Sequence, residues 1–228
     1  MGTYRKYDED FKKSLVNLYH SGKTQTMLSK EYGVSTSALT KWIKMYSEVK
    51  IDDDTVLTAK QIRELQIWCS DITYIKTGRS FSYLCVIIDL FSRKVISYNV
   101  SNSMSSQLVI DTLDYAVKTR NPQNPVLFHS DQGVQYTSEL TRKFCDEHNL
   151  VQSFSAKAHQ AVTKLTLTIN AVAESFFKHL KHEDLNRKSF RTIRELRLAV
   201  FRYIDCFYNT LRPHSAIDML SPVQKESL

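Results

Sequence analysis

The first fifty residues alternate apolar and polar positions at helical spacing, and glycine interrupts the pattern at Gly22 and Gly33. The first stripe recurs every three or four residues: Phe11, Leu15, Leu18 and Tyr19. A shorter segment, residues 26–32, follows it, and Ser35 is placed as an N-cap before a third stripe. That stripe is Leu39, Trp42 and Ile43. The pattern predicts three helices in a helix-turn-helix arrangement over residues 1–50.

Residues 51–66 change in character and are predicted to be a linker. The triplet Asp52-Asp53-Asp54 is far more typical of a solvated or helix-capping cluster than of a metal site. Either Asp54 or Thr58 is predicted to cap a short helix that runs through Gln66.

From Trp68 onward the apolar positions fall into β-type runs. Three runs follow one another with short connections, WCSDITYIK, FSYLCVIIDLFS and RKVISYNVS, which predicts an antiparallel meander. The amphipathic helix SSQLVIDTLDYAVKTR ends at Asn121-Pro122, and the strand VLFHS, the helix SELTRKFCDEH and a strand near LVQSFS come next. The order βββ-α-β-α-β predicts an α/β ribonuclease H-like fold, a mixed sheet flanked by helices.

Two further helices are predicted after the sheet. NAVAESFFKHLKHED packs through Phe177 and Leu180, and residues 192–211 form a long amphipathic helix. The core positions of that long helix are Leu196, Val200, Ile204 and Phe207. The predicted division is therefore a catalytic-type core at residues 67–182 and a helical extension at residues 183–228.

Charge and cysteine content narrow the class of protein. The 228 residues carry a net charge of +7, and residues 1–50 alone hold nine Lys/Arg against five Asp/Glu, which favours a nucleic-acid partner over a membrane. The four cysteines are widely spaced and form no CxxC pair, and no apolar run reaches membrane length. This usage predicts a reducing cytosol and free thiols that are buried as small hydrophobes.

Carboxylates stand at two positions of the predicted sheet. Asp131 follows the apolar run 126–128; a plain turn is the simpler interpretation, but open α/β sheets place their sites at strand carboxyl ends. Asp71 lies within the first strand among apolar residues, where an edge-exposed position is the alternative to a site. Two converging carboxylates repel unless a proton or a divalent cation neutralises them, and hard oxygen ligands favour Mg²⁺ or Mn²⁺.

The next helix offers a third carboxylate. Glu174 lies early on it, and Lys181 follows two turns later on the same face. On this face the acid would hold a metal ion, and the cation further along the helix would bind DNA. An ordinary surface helix with a Glu and a Lys is the alternative interpretation.

The third amino-terminal helix is predicted to enter a major groove of DNA. Ser37, Thr40, Lys41 and Lys44 lie on its polar face and are the candidate contacts. The alternative is a small helical domain with a solvated, charged surface.

Five motifs together resemble the integrase-type core of bacterial insertion-sequence transposases, in the DDE transposase and retroviral integrase superfamily. They are WCSDITYI, SYLCVIIDLFSRKVI, HSDQGVQYTS, AVAESFFKHLK and YNTLRPHSAIDMLSP, and they span residues 67–222. The segment GVSTSALTKWIK resembles the helix-turn-helix at the start of many bacterial transposase proteins.

The resemblance implies a function and a site. Asp71, Asp131 and Glu174 would be the catalytic carboxylates and would hold two divalent ions, Mg²⁺ or Mn²⁺, roughly 4 Å apart. The implied reaction is cleavage and strand transfer at the ends of an insertion sequence, with Lys181 as a DNA contact and Asp89 structural. The implied partners are double-stranded DNA, at element ends and target, and further copies of the chain in a homo-oligomer; no membrane or nucleotide cofactor is expected. The implied location is the bacterial cytoplasm, at the nucleoid.

Two departures from the family pattern favour a second interpretation. Between Asp131 and Glu174 the segment AHQAVTKLTLTIN, residues 158–170, replaces a shorter turn, and it is β-prone. The linker is short, and IRELQ at residues 62–66 resembles the start of a coiled coil that has been cut away. The alternative is therefore a catalytically defective, internally deleted derivative that acts only by binding DNA.

Overall fold

The computed structural model of the chain describes residues 7–46, 48–50, 56–58, 66–155 and 164–228. The chain forms two compact units, Met1–Glu64 and Leu65–Leu228. The finer division predicted at residues 50, 66 and 182 remains a prediction. Within the described ranges, no helix combines the length and the apolar character that crossing a membrane requires.

Three helices make up the described helical part of the first unit: α1 (Glu9–His20), α2 (Gln25–Tyr32) and α3 (Thr36–Tyr46). Polar side chains cap their first turns, since Asp8 accepts from the Phe11 amide at 2.7 Å and Ser35 accepts from the Ala38 amide at 3.2 Å. Gly33 ends α2 in the left-handed conformation, with φ of 64°. The apolar stripes meet in one core around Leu15, Leu28, Leu39 and Trp42. The three predicted helices are confirmed.

The predicted linker helix is wrong where the structure describes it. Strand β1 (Glu48–Lys50) pairs antiparallel with β2 (Val56–Thr58), with Glu48 opposite Thr58. Thr58 is therefore a strand residue rather than a helix cap, and Gln66 begins another strand. Strand pairing prevails there because the Val-Leu-Thr segment is β-prone. Asp54 and the coiled-coil remnant at residues 62–65 lie outside the described residues.

The second unit is built on a five-stranded mixed sheet in the order β5-β4-β3-β6-β7. Its strands are β3 (Gln66–Thr77), β4 (Ser80–Asp89), β5 (Val95–Ser101), β6 (Val126–Ser130) and β7 (Leu150–Phe154). The first three form the predicted antiparallel meander, and β6 and β7 join in parallel. The predicted ribonuclease H-like order is confirmed, with β3 at the centre.

Helices cover both faces of this sheet. They are α4 (Ser106–Arg120), α5 (Val134–Thr137), α6 (Glu139–Glu147), α7 (Lys164–Glu183), α8 (Ile193–Tyr203) and α9 (Pro222–Glu226). Side chains of a strand alternate between faces, so Trp68 packs with the α4 core and Cys69 packs with the α7 and α8 core. The apolar side of α7, centred on Phe176 and Leu180, is buried against the second of these faces.

The predicted long carboxyl-terminal helix changes its pitch. After α8 the chain forms a π-helical turn, Ile204–Tyr208, in which the Asn209 amide donates to the Ile204 carbonyl at 2.9 Å. A π turn contains more residues than an α turn. The next side chain after Ile204 that points into the core is therefore that of Tyr208. Phe207, predicted to be a core residue, is instead 39 % exposed.

The cysteine prediction is corrected by the same turn. Cys69, Cys85 and Cys145 are buried as expected, whereas Cys206 is exposed because it lies on the outer side of the π turn. All four thiols are free.

Candidate active site

Strand register brings two of the predicted carboxylates together. β3 and β6 pair in parallel, and the last pair in the register is Cys69 with His129. Asp71 lies two residues after Cys69, and Asp131 lies two residues after His129. Because side chains alternate along a strand, both carboxylates leave the sheet on the face of Cys69, the face that α7 covers. Asp71 is partly buried and Asp131 is exposed.

The turn after β6 holds Asp131 through the backbone. Its Oδ1 accepts from the Gly133 amide at 3.0 Å. A Cβ on residue 133 would lie 3.0 Å from that oxygen and 3.1 Å from Oε1 of Gln135, so a larger residue there would have to displace one of these side chains. The turn interpretation and the site interpretation are therefore compatible, since the same turn fixes the direction of the carboxylate.

Glu174 lies on α7, between buried Ala173 and exposed Ser175, and its side chain is exposed. The helix begins at Lys164, so the described part of the β-prone segment, residues 164–170, is helical rather than a strand. Packing against β3 decides this outcome, because Ile169 and Val172 are buried in the core that α7 shares with the sheet.

A buried polar cluster that sequence reasoning missed attaches α7 to the end of β6. Nε2 of His129 donates to Oδ1 of Asn170 at 2.9 Å, and Oγ of Ser155 donates to the same oxygen at 3.0 Å. The other ring nitrogen of His129 contacts Oγ of Ser153 at 3.0 Å. Burial lowers the pKa of His129, so the ring is neutral at pH 7. The only sequence signal for this cluster is that Asn170-Ala171 retains the family pattern before the helix.

The charges of the three carboxylates act on one another. Burial, with the negative charges of Asp131 and Glu174 acting in the same direction, raises the pKa of Asp71 to about 6. The amide of Ile72, which donates to Asp71 Oδ1 at 2.7 Å, and the cation of Lys181 oppose this shift. Nζ of Lys181 lies 5.4 Å from the ring centre of Tyr74, three residues after Asp71 on β3.

The three carboxylates have the chemistry and the charge that bind a divalent ion, but they do not converge on one point. Within the described ranges, no three His, Cys, Asp or Glu side chains are close enough to form a metal cluster. The donors are carboxylate oxygens, which hard cations prefer, and their mutual repulsion is felt at Asp71. The assignment of the three carboxylates stays a prediction.

Asp89 differs from these residues because its hydrogen bonds are all satisfied within the fold. Its Oδ1 accepts from the amides of Phe91 at 2.9 Å and Ser92 at 3.1 Å, and its Oδ2 accepts from Nε2 of Gln66 at 2.9 Å. This carboxylate stabilises the β4–β5 turn, in line with a structural role.

The candidate DNA contacts of the first unit all lie on its surface. Ser37, Thr40, Lys41 and Lys44 are exposed on α3. The hydroxyl of Thr40 is already engaged, since it donates to Oε1 of Gln25 at 2.9 Å and to the Thr36 carbonyl at 2.9 Å. The two lysines are therefore the stronger candidates for phosphate contacts, and their role stays a prediction.

Comparison with known families gives three matches along the chain. Residues 1–66 match a family described as "Transposase", and residues 62–160 and 174–227 match two families described as "Integrase core domain". The two integrase-core matches leave residues 161–173 between them, a gap that overlaps the segment 158–170 that departs from the family pattern.

Individual relatives agree with the family matches. A transposase for insertion sequence element IS904 of Lactococcus lactis is 38% identical over 157 residues, 69% of this chain and 59% of the relative. Transposase InsF for insertion sequence IS3A of Escherichia coli is 40% identical over 162 residues, 71% of this chain and 54% of the relative. The chain thus spans little more than half the length of these curated relatives.

A solved structure shares the fold. A simian T-cell lymphotropic virus intasome, in complex with the PP2A regulatory subunit B56 gamma, aligns with a TM-score of 0.54 at 17% identity. The alignment covers 95% of this chain and 74% of the other. At this identity the likeness shows the fold alone.

Proposed function

The chain belongs to the bacterial insertion-sequence transposases with an integrase-type core, and on that premise we propose that it cleaves and joins DNA strands at the ends of an insertion sequence. The observation that carries the proposal is the register of β3 with β6, which directs Asp71 and Asp131 to one face of the sheet. The charge of Glu174 acts on Asp71 from the helix that covers that face.

Integrase-core proteins depend on a divalent metal. Asp71, Asp131 and Glu174 would hold it here, and Mg²⁺ or Mn²⁺ supplies charge neutralisation at a phosphodiester and a more acidic bound water. Two such ions are proposed. Lys181 would place a positive charge beside Asp71, where a DNA phosphate approaches, and its contact with Tyr74 limits the directions that its side chain takes.

The amino-terminal unit would supply the sequence reading. The exposed lysines of α3, Lys41 and Lys44, would contact phosphates, with Ser37 and Thr40 nearer the base edges. The proposed partner is double-stranded DNA, at element ends and at the target, on which several copies of the chain assemble. A location at the bacterial nucleoid follows from that partner.

The test uses the purified chain and a labelled duplex that carries the ends of the encoding element. Strand nicking and joining are measured with Mg²⁺, with Mn²⁺ and with EDTA, and DNA binding is measured separately by gel shift. Asp131→Asn and Glu174→Gln remove one charge each from the proposed site. Asp146→Asn removes an exposed carboxylate from α6 and is the matched control.

Products that need metal, persist in Asp146→Asn and vanish in the other two variants would support the proposal. Sequence-specific binding without any product, under conditions in which an intact relative is active, would overturn it. That result would leave the DNA-binding derivative as the function of this chain.

A further inference from the structure

A cavity of about 510 Å³ lies beside the helix that carries Glu174. One wall is a single face of α7, formed by Ala171, Ser175 and His179 at intervals of four residues. The other wall comes from the segment Arg212–Ala216, which follows the π turn. Ser175 follows Glu174 in sequence, and the cavity includes none of the proposed catalytic carboxylates.

Arg93 enters this cavity as an unpaired cation. It lies in the β4–β5 turn with φ of 63°, a conformation that the bonds of Asp89 to the same turn support. Its Nε is buried without a hydrogen-bond partner, and in the described part of the chain no carboxylate forms an ion pair with its guanidinium. A buried hydrogen-bond donor without a partner destabilises the fold by about 1–3 kcal/mol, and by more when it is charged. An anionic partner for the guanidinium of Arg93 would remove this cost.

The second arginine of the cavity is already neutralised. Arg212 donates to both carboxylate oxygens of Glu183, with its Nη2 2.8 Å from Oε1, and Nδ1 of His179 lies 3.3 Å from that oxygen. Glu183 therefore offsets Arg212, and the excess positive charge at the cavity is that of Arg93. The ion pair also fixes the direction of the Arg212–Ala216 wall.

His214 provides a second unsatisfied polar atom at the same place. Its Nε2 is buried without a partner. Burial, followed by the charge of Arg212, lowers the pKa of His214 to about 4, and the charges of His179 and Arg93 act in the same direction. Positive charge thus surrounds the ring from several sides.

We propose that this cavity binds a phosphate group of the DNA backbone, held by the guanidinium of Arg93 with the hydroxyls of Ser175 and Ser215 at its edge. A guanidinium matches the paired oxygens of a phosphate, and the positive surroundings exclude a cationic ligand. The cavity falls in the range of about 300–1,000 Å³ typical of small-ligand sites, so it has room for the attached sugar as well. The inference rests on the proposed function, since it assumes that DNA lies along α7.

The first experiment compares Arg93→Gln with Arg142→Gln in the full chain. Both substitutions remove one positive charge, but Arg142 is exposed on α6, away from the cavity. Affinity for a fluorescent DNA duplex is measured at several salt concentrations by anisotropy. Arg93→Gln is expected to weaken binding severalfold and to lower the salt slope by about one, the effect of losing one phosphate contact, while Arg142→Gln matches the wild type. Equal slopes for both variants would overturn the proposal.

A second pair of variants leaves Arg93 in place, in case its replacement harms folding. Ala216 is exposed on the wall of the cavity, and Ala216→Glu adds a negative charge where Ala216→Gln adds the same bulk without one. The glutamate variant is expected to bind DNA more weakly than the glutamine variant, with equal thermal stability. Equal binding by the two would also overturn the proposal.

Inorganic phosphate distinguishes DNA from a free ligand. If phosphate raises the melting temperature of the wild type but not of Arg93→Gln, and DNA affinity is the same for both, the site serves free phosphate and the DNA assignment is wrong. Failure of the proposed function would give a different result from failure of this inference. A wild type that makes no cleavage product, yet whose DNA affinity depends on Arg93, would retain this inference and lose the activity.

Discussion

The ionisation of Asp71 follows from its position in the sheet. The sequence predicted Asp131 as the neighbour of Asp71 and left an edge-exposed position as the alternative, and the register of β3 with β6 directs both side chains to one face. The strength of its electrostatic coupling was not predictable from the sequence. It depends on how far α7 buries the carboxylate and on the distances to Asp131 and Glu174, which are set by packing between segments far apart in sequence.

Asp71→Asn is expected to stabilise the metal-free protein at neutral pH. The folded-state pKa of about 6 lies above the usual value of 3.8, so the ionised folded form is penalised above pH 6 and the penalty disappears below about pH 4. A shift of two units corresponds to at most about 3 kcal/mol. Thermal unfolding in EDTA between pH 4 and 8 measures the effect.

The matched control for this prediction is Asp111→Asn, on the exposed side of α4. It should leave the pH dependence of unfolding unchanged. An Asp71→Asn curve that runs parallel to the wild type across the whole pH range would contradict the burial of this carboxylate.

Among the elements, α7 was the least predictable from sequence. The segment TKLTLTI contains β-branched residues in alternation, which favour a strand locally, yet residues 164–170 continue the helix that carries Glu174. Contacts with the sheet override that preference, since Ile169 is buried and Asn170 bonds to His129. A hydrogen bond between residues forty-one positions apart cannot be predicted from the local sequence pattern.

Asn170→Ala is expected to loosen the attachment of α7 to β6. His129 and Ser155 would lose their shared acceptor, at a cost of about 1–3 kcal/mol in the free energy of unfolding. Denaturant unfolding measures the cost, and Asn186→Ala, at an exposed position, is the control. Because Glu174 lies one turn after Asn170, strand cleavage should fall more than DNA affinity does. A loss confined to stability, with cleavage retained at full rate, would show that the attachment does not position Glu174.

The π turn makes a sharp prediction about two adjacent aromatic residues. Tyr208 is buried and packs edge-on against Phe176 at 4.9 Å between ring centres, whereas Phe207 is largely outside the core. Tyr208→Ala is expected to cost about 3–5 kcal/mol in stability. Phe207→Ala should cost about 1 kcal/mol or less, as partly exposed positions do.

Urea unfolding of the two alanine variants measures both costs under the same conditions. An α-helical continuation, which helical periodicity alone predicts, would place Phe207 in the core. A larger cost at Phe207 than at Tyr208 would therefore contradict the π turn.

At the scale of the whole molecule, the division into a helical unit and a sheet-based unit was visible in the change of hydrophobic period near Trp68. The short β1–β2 pairing within the first unit was not, because three-residue strands leave too little pattern to detect. Residues 1–50 carry nine basic and five acidic residues, a net charge of +4 out of the total of +7. This excess favours phosphate contacts by the amino-terminal helices.

Lys41→Gln and Lys44→Gln are each expected to lower the slope of DNA affinity against salt by about one. Lys13→Gln, on α1 beside Glu9, removes the same charge from another helix and should leave the slope unchanged. Affinity titrations from low to physiological salt give the slopes. A control variant that loses as much as the two α3 variants would mean that the unit attracts DNA through its net charge rather than through α3.

The central position of β3 also sets an order of events during synthesis on the ribosome. β3 and β4 are made early, yet the residues that cover one of their faces belong to α7, α8 and the π turn, more than seventy residues later. Leu84 and Val86 on that face share one core cluster with Tyr208, so the cluster stays incomplete until Tyr208 has been translated. The second unit therefore completes its core only when almost all of its residues have been translated, and a chaperone that shields this face would act on the growing chain before that point.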